Sequence, residues 1–326
     1  MTGSSTFQKT VNYFNPLGFI GGFAFQGPTR AIAANVNSSG TPNLFGNAYT
    51  FTAAATADPS AGAANGATVQ VGGTGVFAGI MFNPKENVLT GVSGNPLGAS
   101  IALADNSVAE FLQMGYTYVN LPGPANPGDL ITYDPLTGNL NSMPPLATFT
   151  GAIAAGGSAG VPDVLTVTLA TGGTLGVGSI ISGVGVETAT ILSLGTGVGE
   201  NGTYNLSTIN QQTVSTVAMT APSIPAPAFV GLASFATSVM TVNTATSGGL
   251  VVGQQIFGVG IPANTVIISN GTGNGGTGTY NLNNTTGTIT NRAITAPGNT
   301  LVPKCTVERY ATNTTGGGVA VIKLTN

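Results

Sequence analysis

Residues Glu200–Val214 read ENGTYNLSTINQQTV and residues Gly276–Thr290 read GTGTYNLNNTTGTIT, so one turn-rich pentapeptide, GTYNL, occurs twice. Working outward from it, a longer match appears. Leu165-Thr-Val answers Met240-Thr-Val, and the eight residues from Gly178 answer the eight from Gly253. Thr190-Ile-Leu-Ser answers Thr265-Val-Ile-Ile-Ser, and Ala221-Pro222 answers Ala296-Pro297. The offset slips by one residue near the TVIIS strand or the glycine turn after it and recovers later, the signature of an internal duplication. Each copy reads as five or six short strands. VLTVTL and SVMTVNT alternate apolar and small polar residues, the period of a half-buried strand. Glycine and asparagine supply the positive-φ positions of the turns between them. Within GTYNL, Tyr204 and Tyr280 are expected to be scaffold, stacked across strand pairs while the asparagine closes the turn.

Composition agrees with a turn-rich all-β chain. Only 5% of the 326 residues are charged, against the ~25% usual for soluble domains. Fifty are glycine, none is tryptophan or histidine, and 42% are apolar, too many for a disordered chain. The net charge of −3 excludes a basic footprint for nucleic acid. No apolar run approaches the ~20 residues of a membrane-spanning helix. MTGSSTFQKTVNYF lacks the pattern of a signal peptide, which suggests synthesis in a reducing cytosol. Cys305 stands alone and is expected to be a buried apolar side chain near a strand end.

Thr150–Pro297 hold only four charged residues, Asp163, Glu187, Glu200 and Arg292. The flanks hold the other 13, all the lysines and most aromatics. The expected fold is therefore all-β: a discontinuous β-barrel-like core domain from residues 1–148 and 298–326, carrying two inserted tandem β-sandwich-like modules. These modules span 149–222 and 229–297, joined by a proline-rich spacer, PSIPAPAF. VIKLTN at the C-terminus is expected to pair back into the sheet begun by the N-terminal half.

Catalytic chemistry finds little to work with. Without histidine there is no Ser-His-Asp or Cys-His arrangement and no histidine metal site. Asp129 and Asp134 read as turn residues of a hairpin, and Asp105 with Glu110 is the other paired-carboxylate candidate. GTGNGGTGTY lacks the lysine and helix of a phosphate loop. No enzyme activity, cofactor or metal is expected.

The flanks resemble the structural cement, or head-decoration, proteins of tailed bacteriophages. The resemblance lies in FQKTVNYFNPLGFIGGFAFQGPTRAI (7–32), VFAGIMFNPKE, EFLQMGYTYVNL, GDLITYDPLTGNL and the closing VPKCTVERYATNTTGGGVAVIKLT. The inserted blocks look like repeats common in phage appendages. The resemblance implies a virion protein on the capsid exterior that binds the major capsid protein and bridges its subunits, with the repeats protruding. It also implies a homo-oligomer, a trimer favoured and a dimer open. The alternative is a tail- or fibre-associated adhesin module, in which the repeats take a host-surface glycan or protein.

Phe7, Tyr13, Phe14, Phe19, Phe23 and Phe25 crowd into 19 residues with a single charge, Lys9. They read either as core plugs or as a capsid-binding arm whose rings enter pockets on a neighbour, with Arg30 pairing to a partner carboxylate.

Overall fold

A computed structural model of the protein describes residues 20–52, 67–82, 102–157, 161–207, 212–258, 260–310 and 318–325. Among the described residues every regular element is a strand. The first group is β1 (Arg30–Val36), β2 (Asn43–Leu44), β3 (Ala48–Phe51), β4 (Thr68–Val71), β5 (Phe77–Phe82), β6 (Ala102–Leu103), β7 (Ser107–Leu121), β8 (Leu130–Tyr133) and β9 (Leu140–Met143). The second is β10 (Leu146–Ala154), β11 (Val164–Gly172), β12 (Ile180–Gly183), β13 (Ala189–Leu194), β14 (Gly202–Leu206) and β15 (Val214–Pro222). The third is β16 (Phe229–Gly248), β17 (Phe257–Gly258), β18 (Ile267–Asn270) and β19 (Gly278–Ala296), and the chain closes with β20 (Thr300–Tyr310) and β21 (Gly318–Leu324).

β7, with 15 residues, organises the base of the molecule. A nine-stranded sheet runs β1-β4-β3-β5-β7-β21-β20-β8-β9, and β1 also pairs with β7, so its first five strands close into a ring. β21 pairs with β7 without a break, from Gly318 opposite Leu121 to Leu324 opposite Gly115. The final strand thus joins the sheet begun by the N-terminal half, as VIKLTN suggests. β5 lies between two cores: Ala78 and Met81 pack with Phe111 and Tyr49 inside the ring, while Ile80 and Phe82 join Leu112, Val119 and Tyr133. Burial on both faces explains why its sequence is a continuous apolar run rather than an alternating one. Gly79 allows the close approach to β7, because a Cβ there would sit 2.7 Å from the carbonyl oxygen of Leu112.

β10 to β15 form a closed six-stranded barrel in the order β10-β11-β14-β13-β12-β15. Where the sequence suggests a sandwich-like unit, the detail is a barrel. Bulges between Thr148 and Phe149, between Thr150 and Gly151, and between Ile191 and Ser193 add the bend that closes it. The pairings of β10–β15 recur in β16–β19. Ile191 opposite Leu206 becomes Ile267 opposite Leu282, and Leu194 opposite Tyr204 becomes Asn270 opposite Tyr280. Ser182 opposite Thr220 becomes Phe257 opposite Thr295, and Ala147 opposite Ala221 becomes Phe229 opposite Ala296. The two cores correspond at most positions, Leu165 with Met240, Leu175 with Leu250, Ile181 with Ile256 and Tyr204 with Tyr280, and one of their differences is an exchanged ring. Ala147 and Phe149 fill the barrel of β10–β15, whereas Phe229 and Gly231 stand at those places in the four-stranded sheet β16-β19-β17, whose β19 also pairs with β18. The ring has moved two residues along the same inward face, so volume is conserved.

The proline-rich segment between the blocks is fastened. Ser223 N–H donates to Pro145 O at 3.0 Å, Ile224 N–H donates to Thr174 O at 3.0 Å, and the Thr174 hydroxyl donates to Ile224 O at 2.7 Å.

Candidate functional site

The twice-used pentapeptide is accounted for atom by atom. Gly202 and Gly278 have φ of +139° and +131°, and a Cβ on either would lie 2.5 Å from the Cα of Gly197 or Gly273. Thr203 and Thr196 exchange backbone-to-hydroxyl bonds at 2.9 and 3.0 Å, and Thr279 and Thr272 do so at 2.8 and 3.0 Å. The fully buried Tyr204 donates to Glu200 O at 2.6 Å and accepts from Gly199 N–H at 3.0 Å. Tyr280, equally buried, donates to Gly276 O at 2.8 Å. Asn205 and Asn281 donate to Ser193 and Ser269, and both leucines lie in the cores. Burial raises the phenol pKa of Tyr204 to about 12 against the opposing bond from Gly199, and burial also raises that of Tyr280. The tyrosines pack against glycines rather than against a second ring, because a Cβ on Gly197 or Gly273 would strike the phenol at 2.3 or 2.4 Å.

The described aspartates hold turns together. Asp134 accepts from Leu136 N–H and from the Thr137 hydroxyl at 2.9 and 2.8 Å. Asp129 accepts from Asn126 N–H at 2.7 Å, and Asp163 accepts from Gly156 and Gln212 N–H at 2.9 and 3.2 Å. Asp105 accepts from Ser38 and Gly40 N–H and from Asn43, and these bonds, Ser38's above all, hold its pKa below the usual value. Among the described residues, no group of three or more Cys, Asp and Glu side chains is placed to hold a metal ion.

Phe7, Tyr13, Phe14 and Phe19 lie outside the described residues. The root of their segment is placed. Gly21 N–H donates to Tyr118 O at 2.7 Å, Ala24 N–H to Tyr116 O at 3.2 Å, and Tyr118 N–H to Gly22 O at 3.0 Å. Residues 21–24 therefore lie along β7 as a short added strand. Phe23, 48% exposed, meets the buried Phe82 edge-on at 5.0 Å, and Phe25, 36% exposed, meets Tyr116 edge-on at 5.4 Å. Each ring thus covers the base with one edge and shows the other to solvent. Arg309 lies 5.4 Å over the Phe25 ring, and Lys323 lies 5.8 Å over Tyr116. Arg30 is exposed, in a shallow hollow with Lys304, Val76 and Thr325. Sequence reasoning singled out Phe25 and Arg30 but not Tyr116, Lys304, Arg309 or Lys323. No local pattern joins residues so far apart.

Linked all-β units whose described polar side chains hold their own turns, with rings and cations on one outer face, define a structural class of protein. A model of the structural cement protein family (E217 gp24/Pam3 gp6) matches residues 7–180, more than half of the chain. The chain belongs to this family of phage structural cement proteins. The match takes in the aromatic N-terminal segment and continues through β10 and β11 to Ile180, while residues 298–326 lie beyond it. A search of curated proteins found no match.

Proposed function

We propose that this protein binds the outer surface of the phage head and stabilises contacts between major capsid subunits, with the two inserted modules protruding. The family match carries this reading, because cement names a part that holds others together and the match begins inside the aromatic segment at residue 7. Rings that cover their own sheet with one edge can bury the other against a partner at ~25 cal/mol per Å² of apolar area. Phe7, Tyr13, Phe14 and Phe19 would extend that contact. A symmetric homo-oligomer, trimer before dimer, would engage several capsid subunits at once, so modest contacts add through effective concentration. Deletion of residues 1–19, which spares the strand formed by Gly21–Ala24, should abolish binding to heads stripped of the protein. Deletion of the block 146–297 should leave binding intact, and adding the protein back should restore the heads' resistance to heat and osmotic shock. An arm that proves dispensable while the inserted modules prove essential would show that the modules hold the shell, and copies found only at a tail or fibre would favour the adhesin reading instead.

A further inference from the structure

We infer that the outward face of β20, β21 and the middle of β7 is an electrostatic docking surface for a carboxylate-rich face of the capsid shell. This deepens the cement reading and rests on it. Four of the chain's seven Lys and Arg residues gather there: Arg309 over Phe25, Lys323 over Tyr116, and Arg30 with Lys304 around one hollow. Their register explains the gathering. Lys323 stands opposite Tyr116 on one side and Thr306 on the other, and Thr325 N–H donates to Lys304 O at 3.0 Å. A bulge between Val307 and Arg309 sets Arg309 opposite Val321 rather than Ala320, which turns it to the face that carries Lys323. β20 and β21 together hold these three cations and one carboxylate, Glu308.

The occupant follows from charge. The chain as a whole carries −3, so this face is opposite in sign to the rest of the molecule. A second copy meeting this face symmetrically would set the same cations against one another, which disfavours a self-contact here. The rings hold the cations in place without neutralising them, because a cation over an aromatic face keeps its full charge. Guanidinium and ammonium groups fixed in this way suit carboxylates on a partner that adds no basic charge of its own.

The test uses heads of the parent phage stripped of this protein, titrated with the full chain at 50 and 500 mM salt. Wild-type binding should weaken at least tenfold between the two salts. R309E with K323E should lose at least tenfold at 50 mM and little at 500 mM, whereas R292E in β19 should bind as wild type. Should the double reversal misfold by its melting curve, R309Q with K323Q replaces it. Equal binding by wild type and the folded double variant, or wild-type binding indifferent to salt, overturns this surface and leaves the cement reading standing. Failure of the wild type to bind heads at all overturns both. A variant that sediments as a smaller oligomer than wild type would assign the face to a second copy of this chain and also overturn the proposal.

Discussion

At the scale of single residues, the tyrosines of the repeated turn are the sharpest test of the scaffold. Tyr204→Phe removes a donor to Glu200 O and an acceptor for Gly199 N–H, and should cost ~1–3 kcal/mol in urea unfolding. Tyr204→Ala also empties a fully buried site and should cost ~3–5 kcal/mol. The same phenols make the fold alkali-sensitive. In the unfolded chain they ionise near pH 10, whereas folded Tyr204 waits until about 12. Stability is therefore full below pH 10 and falls as pH rises from 10 towards 12, which a pH series of melting curves will show. Asp105 works at the other end. Its depressed pKa favours the fold above the ordinary carboxylate range, so that contribution disappears as pH falls through and below ~4. Cys305 is buried and its thiol pKa is pushed up, so it should resist thiol reagents until the base unfolds.

At the scale of elements, the turns and the exchanged ring make separate predictions. Gly202→Ala places a Cβ 2.5 Å from Gly197 and should cost more than the ~1–3 kcal/mol of strained backbone alone. Gly185 also has positive φ, at +74°, but a Cβ there meets nothing within 4 Å, so Gly185→Ala should cost only the backbone term. In the first barrel, Ala147→Phe alone overfills the core and Phe149→Gly alone empties it. Together they reproduce the arrangement of Phe229 and Gly231, so the double variant should be more stable than the sum of the two costs predicts. The structure also locates the extra residue of the second block. Val186 bonds to Gly183 as Ile261 bonds to Gly258, while Ile191 answers Ile267. Four residues therefore correspond to five, in the turn before the strand, where Asn264 adopts a φ of +58°. The sequence reading puts the slip near the TVIIS strand or the glycine turn after it, and the structure moves it to the turn just before, because an inserted turn residue leaves the flanking strands' alternation unchanged.

At the scale of the whole molecule, the sheet that takes strands from both ends of the chain invites excision of what lies between. Removing residues 146–297 and joining Pro145 to Gly298 through a short glycine linker should leave a soluble protein with one cooperative unfolding transition. The large core of that sheet, from Ala48 to Leu324, has no member between Leu140 and Val302. Cys305 reactivity reports that transition directly. A product that aggregates would show that the inserted modules are needed to hold β9 and β20 in place. The fastening of Ser223 and Ile224 to Pro145 and Thr174 is lost together with the modules, so it cannot strain the joined base.

Strand content, turn positions and the twofold use of one block are determined by the sequence itself, because alternation along a strand and glycine in a turn are local properties of the chain. The second copy of GTYNL marks the pentapeptide as scaffold, but the packing of its tyrosines against glycines and the cross-strand bonds of its asparagines, in place of ring stacking and a closed turn, come from the tertiary structure. The aromatic segment is equally visible, since its rings are near neighbours in the chain. Closure of β10–β15 into a barrel and the double-sided burial of β5 belong to the tertiary structure. So does the meeting of Phe25, Tyr116, Arg309 and Lys323 on one face. These depend on which strand pairs with which and on where one bulge shifts the register, and such long-range choices are made by packing, not by any single stretch of the chain.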